Sequence, residues 1–182
     1  MGGAMMGKTH AHLEKLARQS TRANFVYVVL RPSWFHQNFL AVSDEIKEES
    51  TIYTAAGHGK YGWVNVDDIA EAGVDVLLDE SIPCGTEILI TGPELFNGYE
   101  VASLLGSILG RKIIHKSLTR SEMVRRGVKS GLEQEYAEWL ADLDIEVAGG
   151  IEERFFRRKG PHRVLGKRTL AKFFEENKSL WI

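Results

Sequence analysis

Apolar positions along the chain follow two alternating patterns, short continuous runs and segments in which they recur every three or four residues. The first pattern is typical of buried strands and the second of amphipathic helices. The strands are predicted over residues 25–31, 51–55, 63–66, 87–91 and 112–116. The helices are predicted over residues 5–20, 68–79 and 97–109, and onward from Leu132 and from Thr169. Asn97 is expected to open the third of these helices and Gly110 to end it, and Thr119 with Glu122 predicts a capping box for a further helix. After Leu132, Tyr136, Trp139, Leu140 and Leu143 share one helix face, and the last helix is expected to bury Leu170, Phe173 and Phe174. Strands that alternate with helices predict an α/β fold with a mainly parallel sheet.

The strand over residues 25–31 is apolar on both faces and is followed by an unusual loop. Pro32 is expected to end this strand, and the loop then carries two aromatic rings, Trp34 and Phe35, and the amide of Asn38. In open α/β sheets, ligands bind beyond the carboxyl ends of the strands. An apolar wall with a few amides suits a flat, partly polar ring such as a nicotinamide or a flavin. The same pattern also fits a strand and a helix whose aromatic side chains only pack in the core.

The segment from Gly57 to Gly62 matches the letters of the dinucleotide fingerprint G-x-G-x-x-G. That motif needs a helix directly after its third glycine, so that the helix N-terminus faces the pyrophosphate. Here residues 63–66 read as a strand. We therefore interpret the glycines as a tight connection between two strands, where positive φ angles are required.

Two charged features have both a functional and an ordinary structural interpretation. Asp67 and Asp68 resemble a metal or catalytic pair, but Asp67 is expected to cap a helix and Asp68 to lie in its first turn. The basic run from Arg154 to Arg168 fits a surface for nucleic acid or an anionic cofactor, or a solvated face. No DNA-reading motif accompanies it, and no zinc-ligand spacing occurs in the chain. We predict neither a nucleic-acid partner nor a metal.

Composition places the chain among ordinary globular proteins. It has 182 residues, of which 43% are hydrophobic and 26% are charged, and its net charge is −2. Its one cysteine, Cys84, cannot form an internal disulfide, which predicts a reducing compartment and a cytoplasmic protein. No apolar run approaches the roughly 20 residues that span a bilayer, so no membrane association is expected.

Several segments in order resemble the NmrA-like atypical short-chain dehydrogenases, and among them the fungal ergot-alkaloid enzymes, the agroclavine and festuclavine dehydrogenases. The resemblance rests on G-K-x-H-A-x-L-E, V-x-L-R-P-S-W-F-x-Q-N-F, G-x-G-K-x-x-W-V-x-x-D-D-I-A, L-x-T-G-P-E and E-V-A-x-x-L-x-x-x-L-G-R-K. It implies an incomplete Rossmann-like sheet over residues 1–80, followed by a smaller, mostly helical substrate-covering region over residues 81–182. It also implies an oxidoreductase that uses NADP or NAD and a small-molecule substrate.

The same resemblance assigns roles to individual residues. Pro32, Trp34, Phe35 and Asn38 would line the nicotinamide side of a cofactor site. Trp63 would stand near the mouth of the substrate pocket.

His10 is the candidate catalytic residue, because the chain departs here from the wider family. Most short-chain dehydrogenases carry Tyr-x-x-x-Lys on this helix, whereas this chain has Met6 and His10 at that spacing. Without the tyrosine, carbonyl reduction lacks its proton donor. An iminium ion needs none, since hydride addition gives a neutral amine, so an iminium or quinone substrate is favoured over a ketone. His10 is either a proton donor, a ligand of the cofactor ribose or an ordinary helix residue.

A second departure concerns the glycine-rich first βαβ unit, which family members have upstream of the region matched here. By this comparison roughly 100 residues of the Rossmann core are absent. We expect an unpaired edge on the strand over residues 25–31, and weak binding of NADPH by the chain alone. A missing N-terminal segment or a partner chain would complete the sheet.

Three alternatives to an iminium-reducing enzyme stay open at this point. NmrA-like proteins include dinucleotide-sensing regulators, for which the basic run would be a partner surface. A reductase resembling the NAD(P)H:quinone reductases is the second, and a non-functional remnant is the third. The choice between NAD and NADP is normally read at the end of the second Rossmann strand, which is not among the segments matched.

Overall fold

A computed structural model of the chain describes residues 4–22 and 25–182. The strands are Val28–Pro32 (β1), Thr51–Thr54 (β2), Thr86–Thr91 (β3), Ile114–Ser117 (β4) and Arg163–Leu165 (β5). The α-helices are Ala4–Arg18 (α1), Asn38–Ala41 (α2), Ser43–Glu49 (α3), Val66–Leu78 (α4), Gly98–Leu109 (α5), Arg120–Lys129 (α6), Gln134–Ala148 (α7), Ile151–Arg157 (α8) and Leu170–Glu176 (α9). A 3-10 turn, Lys178–Trp181, follows the last of them.

The described strands form two parallel sheets. The first has the order β1-β3-β5, with Leu30 opposite Ile88 and Leu89 opposite Arg163, and the second pairs β2 with β4. The predicted α/β class with a parallel sheet is confirmed. In the first sheet, β1 precedes residue 80 in the sequence, whereas β3 and β5 follow it. The predicted division into two regions at residue 80 stays a prediction.

β1 lies at one edge of its sheet, and it differs from the expected strand at both ends, since it begins at Val28 and includes Pro32. Within residues 4–22 and 25–182 only one of its edges is paired, and Phe25 and Val26 are 44% and 54% exposed instead of buried. Pro32 belongs to the strand, opposite Ile90. Because the amide of Ser33 donates to Ile90 and successive amides alternate in direction, the nitrogen of Pro32 faces the open edge, where no donor is required.

Residues 63–66 do not form the predicted strand. Only a single bridge pairs Val64 with Phe35. The chain then turns at Asn65, whose side chain accepts from the amide of Asp67 and caps α4. The predicted cap, Asp67, is therefore a first-turn residue, and Asp68 lies in the first turn as predicted, where its side chain is buried.

The basic run is largely the solvated face expected from the ordinary interpretation, since Arg154, Arg157, Arg158, Lys159 and Lys167 are exposed. Its second half also has a structural role. It contains β5, which adds to the sheet beside β3. Arg168 pairs with the buried carboxylate of Asp68, which also accepts from the amides of Lys167 and Arg168. The end of the basic run is thus fixed to the start of α4.

Local sequence signals are confirmed in the second half of the chain. Asn97 and Glu100 form a capping box at α5, and Thr119 and Glu122 form one at α6. Gly110 ends α5 with a φ of 69°. The predicted burial of α9 through Leu170, Phe173 and Phe174 is also confirmed.

The buried side of α7 is not the face that carries its large apolar residues. Tyr136, Trp139, Leu140 and Leu143 share one face in the sequence pattern, but the buried residues are Ala137, Ala141, Asp144 and Val147. α7 packs closely on α6 through small side chains, and its one buried acid reaches a loop far away in sequence.

Two apolar clusters form most of the interior. The larger includes Phe39, Leu105 and Phe174, with Trp34 packed at its border. The smaller lies between α4 and the first sheet, around Ile90, with Phe35 at its border. The segment after β1 therefore runs between the two clusters. No described helix is long and apolar enough to cross a bilayer.

Candidate functional site

Two loops meet at the carboxyl end of the first sheet and form the candidate site. We call residues 33–38, after β1, the aromatic loop, and residues 55–65, between β2 and α4, the connecting loop. The amide of Val64 donates to the carbonyl of Trp34 at 2.8 Å, and the amide of His36 donates to the carbonyl of Val64 at 2.9 Å. The two loops are therefore joined by backbone hydrogen bonds, as adjacent strands would be.

Gly92, directly after β3, ties the connecting loop to the sheet. Its amide donates to the carbonyl of Gly62 at 3.0 Å. A Cβ atom at this position would overlap the carbonyl of Trp63. Glycine is required here because backbone packs against backbone.

The connecting loop itself is the tight turn expected from its glycines. Gly57 has a φ of 56°, and a Cβ atom on Gly59 would overlap the backbone of Val147. No helix follows Gly62 directly, so these glycines do not form a pyrophosphate cradle.

Three aromatic rings contact one another where the loops meet. Trp34 is half-buried and lies edge-on to Tyr61 and Trp63, at centroid distances of 5.3 and 6.1 Å. Trp63 is 7% exposed and packs on Phe39 at 4.7 Å. Because so little of Trp63 is exposed, a substrate could touch only a small part of its ring. The predicted contact of Trp63 with substrate stays a prediction.

The other predicted cofactor residues lie at the same end of β1. Pro32 is half-buried in the last position of the strand, and Phe35 is half-buried against the sheet-side cluster. Asn38 is exposed at the first position of α2. The structure thus places the partly exposed rings of Trp34 and Phe35 near the exposed amide of Asn38. The buried part of each ring packs in the core.

His10 lies on α1, a helix that runs antiparallel to β1. The guanidinium of Arg18 lies over the ring of Tyr27, before the strand begins, and Glu14 pairs with Arg31 at 3.2 Å, near its end. His10 is one turn closer to the helix N-terminus on the face that carries Glu14. It is half-buried and placed toward the carboxyl end of β1, whereas the side chain of Met6 lies outside the described residues.

Sequence reasoning missed His36, which holds the two loops together from inside. Its ring is fully buried, Nε2 donates to the carbonyl of Trp63 at 3.1 Å, and the ring packs on Phe173. Burial lowers the pKa of His36 from 6.5 to about 4, although the carbonyl of Trp63 and the charge of Asp68 oppose this shift. The imidazole is therefore neutral at physiological pH.

This buried imidazole should make the stability of the fold fall in acid. The unfolded chain binds a proton at His36 near pH 6.5, whereas the folded chain binds it only near pH 4. The contribution of the neutral imidazole to the free energy of unfolding is therefore complete above pH 6.5 and is lost as pH falls toward 4. We expect the loss to be about 3 kcal/mol. Urea unfolding at a series of pH values should show a slope in this window that is smaller in His36→Gln.

The exposed imidazole of His12 provides the control, because His12→Gln should leave that slope unchanged. The comparison with wild type is needed because burial raises the pKa of both Asp144 and Glu152, and a raised carboxyl pKa makes stability fall as pH increases. Equal slopes for wild type and His36→Gln would disprove the linkage.

Two buried carboxyl groups from the helical region also reach these loops, and sequence reasoning missed both. Asp144 accepts from the hydroxyl of Tyr61 and the amide of Ala55, each at 2.7 Å. Glu152 accepts from the hydroxyl of Ser33 and from the amide of Gly62. No metal cluster of three or more His, Cys, Asp or Glu side chains occurs among the described residues.

The chain is similar to known proteins in sequence and in fold. No protein-family model matches the chain. The chain is 38% identical over 167 residues to the uncharacterized oxidoreductase YesF of Bacillus subtilis, which covers 90% of the chain and 57% of YesF. It is 36% identical over 185 residues to the agroclavine dehydrogenase of Claviceps fusiformis, which covers 100% of the chain and 62% of that enzyme.

The chain is similar in sequence to these proteins, and the resemblance predicted from its motifs is confirmed. The chain spans less than two thirds of the length of these curated relatives. Its fold resembles that of an NADPH-dependent quinone oxidoreductase, QOR2, from Escherichia coli, with a TM-score of 0.75 and 22% identity over 96% of this chain and 62% of that one. The Rossmann-like fold predicted for the chain is thereby confirmed.

Proposed function

We propose that the chain forms the nicotinamide and substrate side of an NAD(P)-dependent oxidoreductase that reduces an iminium-type substrate. The observation that carries the proposal is the position of Trp34, half-buried at the carboxyl end of a parallel sheet and edge-on to two further rings. Homology to an agroclavine dehydrogenase supports the class of reaction. Of the two dinucleotides, we favour NADPH.

The residues at the end of β1 fit a reduced pyridine ring. Such a ring is flat and uncharged and carries one amide, so it needs an apolar face and a polar contact at its edge. Trp34 and Phe35 would supply the face and exclude water, and the exposed amide of Asn38 would bond the carboxamide. The bound cofactor supplies the hydride.

Proton donors are scarce on these two loops, which favours an iminium substrate. The hydroxyl of Tyr61 is buried and donates to Asp144, and the hydroxyl of Ser33 donates to Glu152. Of the other proton donors on these loops, His36 is buried, Lys60 pairs with Glu100 at 2.7 Å, and the exposed His58 stacks on Tyr99 in α5. An iminium carbon accepts hydride without a proton, and His10 would be the donor for substrates that need one.

We also propose that a further strand covers the open edge of β1. An edge strand presents unpaired amides and carbonyls, and here exposed Phe25 and Val26 lie beside it. A segment of a longer chain or a separate partner chain would provide this strand. The single cysteine, which is exposed, fits a reducing compartment, and we propose the cytoplasm.

The function can be tested with NADPH that carries deuterium at the reactive carbon of the nicotinamide. The native gene product is incubated with this cofactor and with a cyclic iminium ion, a quinone or a ketone, and products are analysed by mass spectrometry. We expect deuterium in the amine formed from the iminium ion and little reduction of the ketone.

Trp34→Ala should reduce this transfer about tenfold or more, because loss of a stacking ring removes about 1–3 kcal/mol. Trp139→Ala, which removes a half-buried tryptophan of α7, is the matched control and should retain activity. NADPH binding without transfer to any of these substrates would contradict the proposal and favour a dinucleotide sensor.

A further inference from the structure

Glu152 is a buried carboxylate that neither the motifs nor the proposed chemistry accounts for. It lies on the first turn of α8 and is 7% exposed. Among the described residues, no lysine, arginine or histidine forms an ion pair with it within 4.0 Å. Burial raises the pKa of Glu152, and the hydrogen bonds from Ser33 and Gly62 only partly oppose the shift. Burial of an unpaired carboxylate is energetically unfavourable, and an apolar side chain would fill the same space without this cost.

The two donors to Glu152 belong to the two loops of the candidate site. The hydroxyl of Ser33 and the amide of Gly62, the latter at 3.3 Å, both donate to the same oxygen, Oε2. Ser33 directly precedes Trp34, and Gly62 directly precedes Trp63. One oxygen atom therefore links the side chain of Ser33 to the backbone of Gly62, the residues that directly precede the two tryptophans.

The packing around Gly62 shows how closely this carboxylate approaches the loops. A Cβ atom at Gly62 would lie 3.3 Å from the hydroxyl of Ser33 and 3.4 Å from Oε2 of Glu152. A methyl group here would already be tight against the serine hydroxyl, and Glu152 reaches both donors directly. The contact consequently fixes the loops directly.

We infer that Glu152 is a positioning residue that sets the relative placement of Trp34 and Trp63 through Ser33 and Gly62. The importance of this placement for hydride transfer rests on the proposed function. The helical region thus contributes to the site without touching a ligand, since α8 supplies the oxygen on which the aromatic and connecting loops converge.

Fluorine NMR of protein labelled with 5-fluorotryptophan tests this inference on the full chain. The four tryptophans give four signals, which are assigned by Trp→Phe variants. In Glu152→Ala we expect the signals of Trp34 and Trp63 to move or broaden, while those of Trp139 and Trp181 stay in place. Ser33→Ala should move the signal of Trp34 in the same direction by less.

Glu152→Gln separates positioning from simple filling of the site, because its amide oxygen can accept both hydrogen bonds. We expect its spectrum to match that of wild type. Glu153→Ala is the control on the same helix turn, and it should leave all four signals unchanged. Signals that are all unmoved in Glu152→Ala, signals that all move together, or a Gln variant that behaves as Ala does would each overturn the inference.

The deuterium-transfer assay on the same proteins tests the proposed function separately. If wild type transfers no deuterium, the proposed function fails, yet the fluorine spectra still decide the role of Glu152. If wild type is active, Glu152→Ala should reduce the rate about tenfold and Glu152→Gln should retain most of it.

Discussion

Gly92→Ala is expected to unfold the chain or to lower its free energy of unfolding by about 3 kcal/mol or more. The added methyl group would overlap the carbonyl oxygen of Trp63, which is backbone and cannot rotate away. Relief would require separation of β3 from the connecting loop, with loss of the hydrogen bond from Gly92 to Gly62. Urea denaturation followed by circular dichroism measures the effect.

Gly73→Ala is the matched control for this prediction. Gly73 lies inside α4, and a methyl group there would meet only a side-chain carbon of Leu30 at 3.6 Å, which is an ordinary contact. Alanine is the better helix former, so this variant should be as stable as wild type or up to about 1 kcal/mol more stable. Equal stabilities of Gly92→Ala and Gly73→Ala would show that the backbone contact at Trp63 is not as close as described.

Asp68→Ala should have the second largest effect, a loss of about 3 kcal/mol. The carboxylate is 3% exposed and accepts from the amides of Lys167 and Arg168 at 3.1 Å, as well as from the guanidinium of Arg168. Its removal leaves the two amides without their partner and leaves the guanidinium of Arg168 only the more exposed Glu71 and Asp67. The segment that follows β5 is then held less firmly. We expect faster proteolysis within the basic run together with a lower urea midpoint.

Asp67→Ala controls for the loss of an acid at the start of α4. Its side chain is 68% exposed and lies 3.8 Å from Arg168, so its loss should cost less than about 1 kcal/mol. If both aspartate variants lost the same stability, the effect would belong to the helix terminus and not to the buried contact with the basic run.

Elements with local signals could be predicted from the sequence. Asn97 and Gly110 mark the two ends of α5, and both act through hydrogen bonds or angles within a few residues. The strand β1, which precedes the aromatic loop, could also be predicted, because its continuous run of β-branched and aromatic residues is typical of a buried strand. The homology to clavine dehydrogenases was recognised from combined short motifs, each of which is weak alone.

Features that depend on distant partners could not be predicted. Asp68 meets Arg168 across 100 positions, Tyr61 meets Asp144 across 83, and Ser33 meets Glu152 across 119. The residues next to an aspartate in a helix do not indicate that a distant loop will donate hydrogen bonds to its carboxylate. For the same reason the sequence pattern of α7 shows a face of large apolar residues but does not show that the fold buries alanines and an acid instead.

The candidate site shows the same division. The aromatic loop was located from its sequence, but the residues that hold it, His36 and Glu152, were not. His36 gave a weak signal as a histidine between aromatic residues, and its burial depends on Phe173 in the last helix. The predicted roles of Pro32, Trp34, Phe35 and Asn38 as cofactor contacts are still to be tested by experiment.

The most direct test of the account is a transferred nuclear Overhauser measurement with NADPH, a method suited to weak binding. We predict cross-peaks between the nicotinamide ring protons and the indole protons of Trp34, with no such cross-peaks to Trp139 in α7. Binding of NADPH with cross-peaks to other aromatic rings and none to Trp34 would contradict the assignment of the aromatic loop as the nicotinamide site.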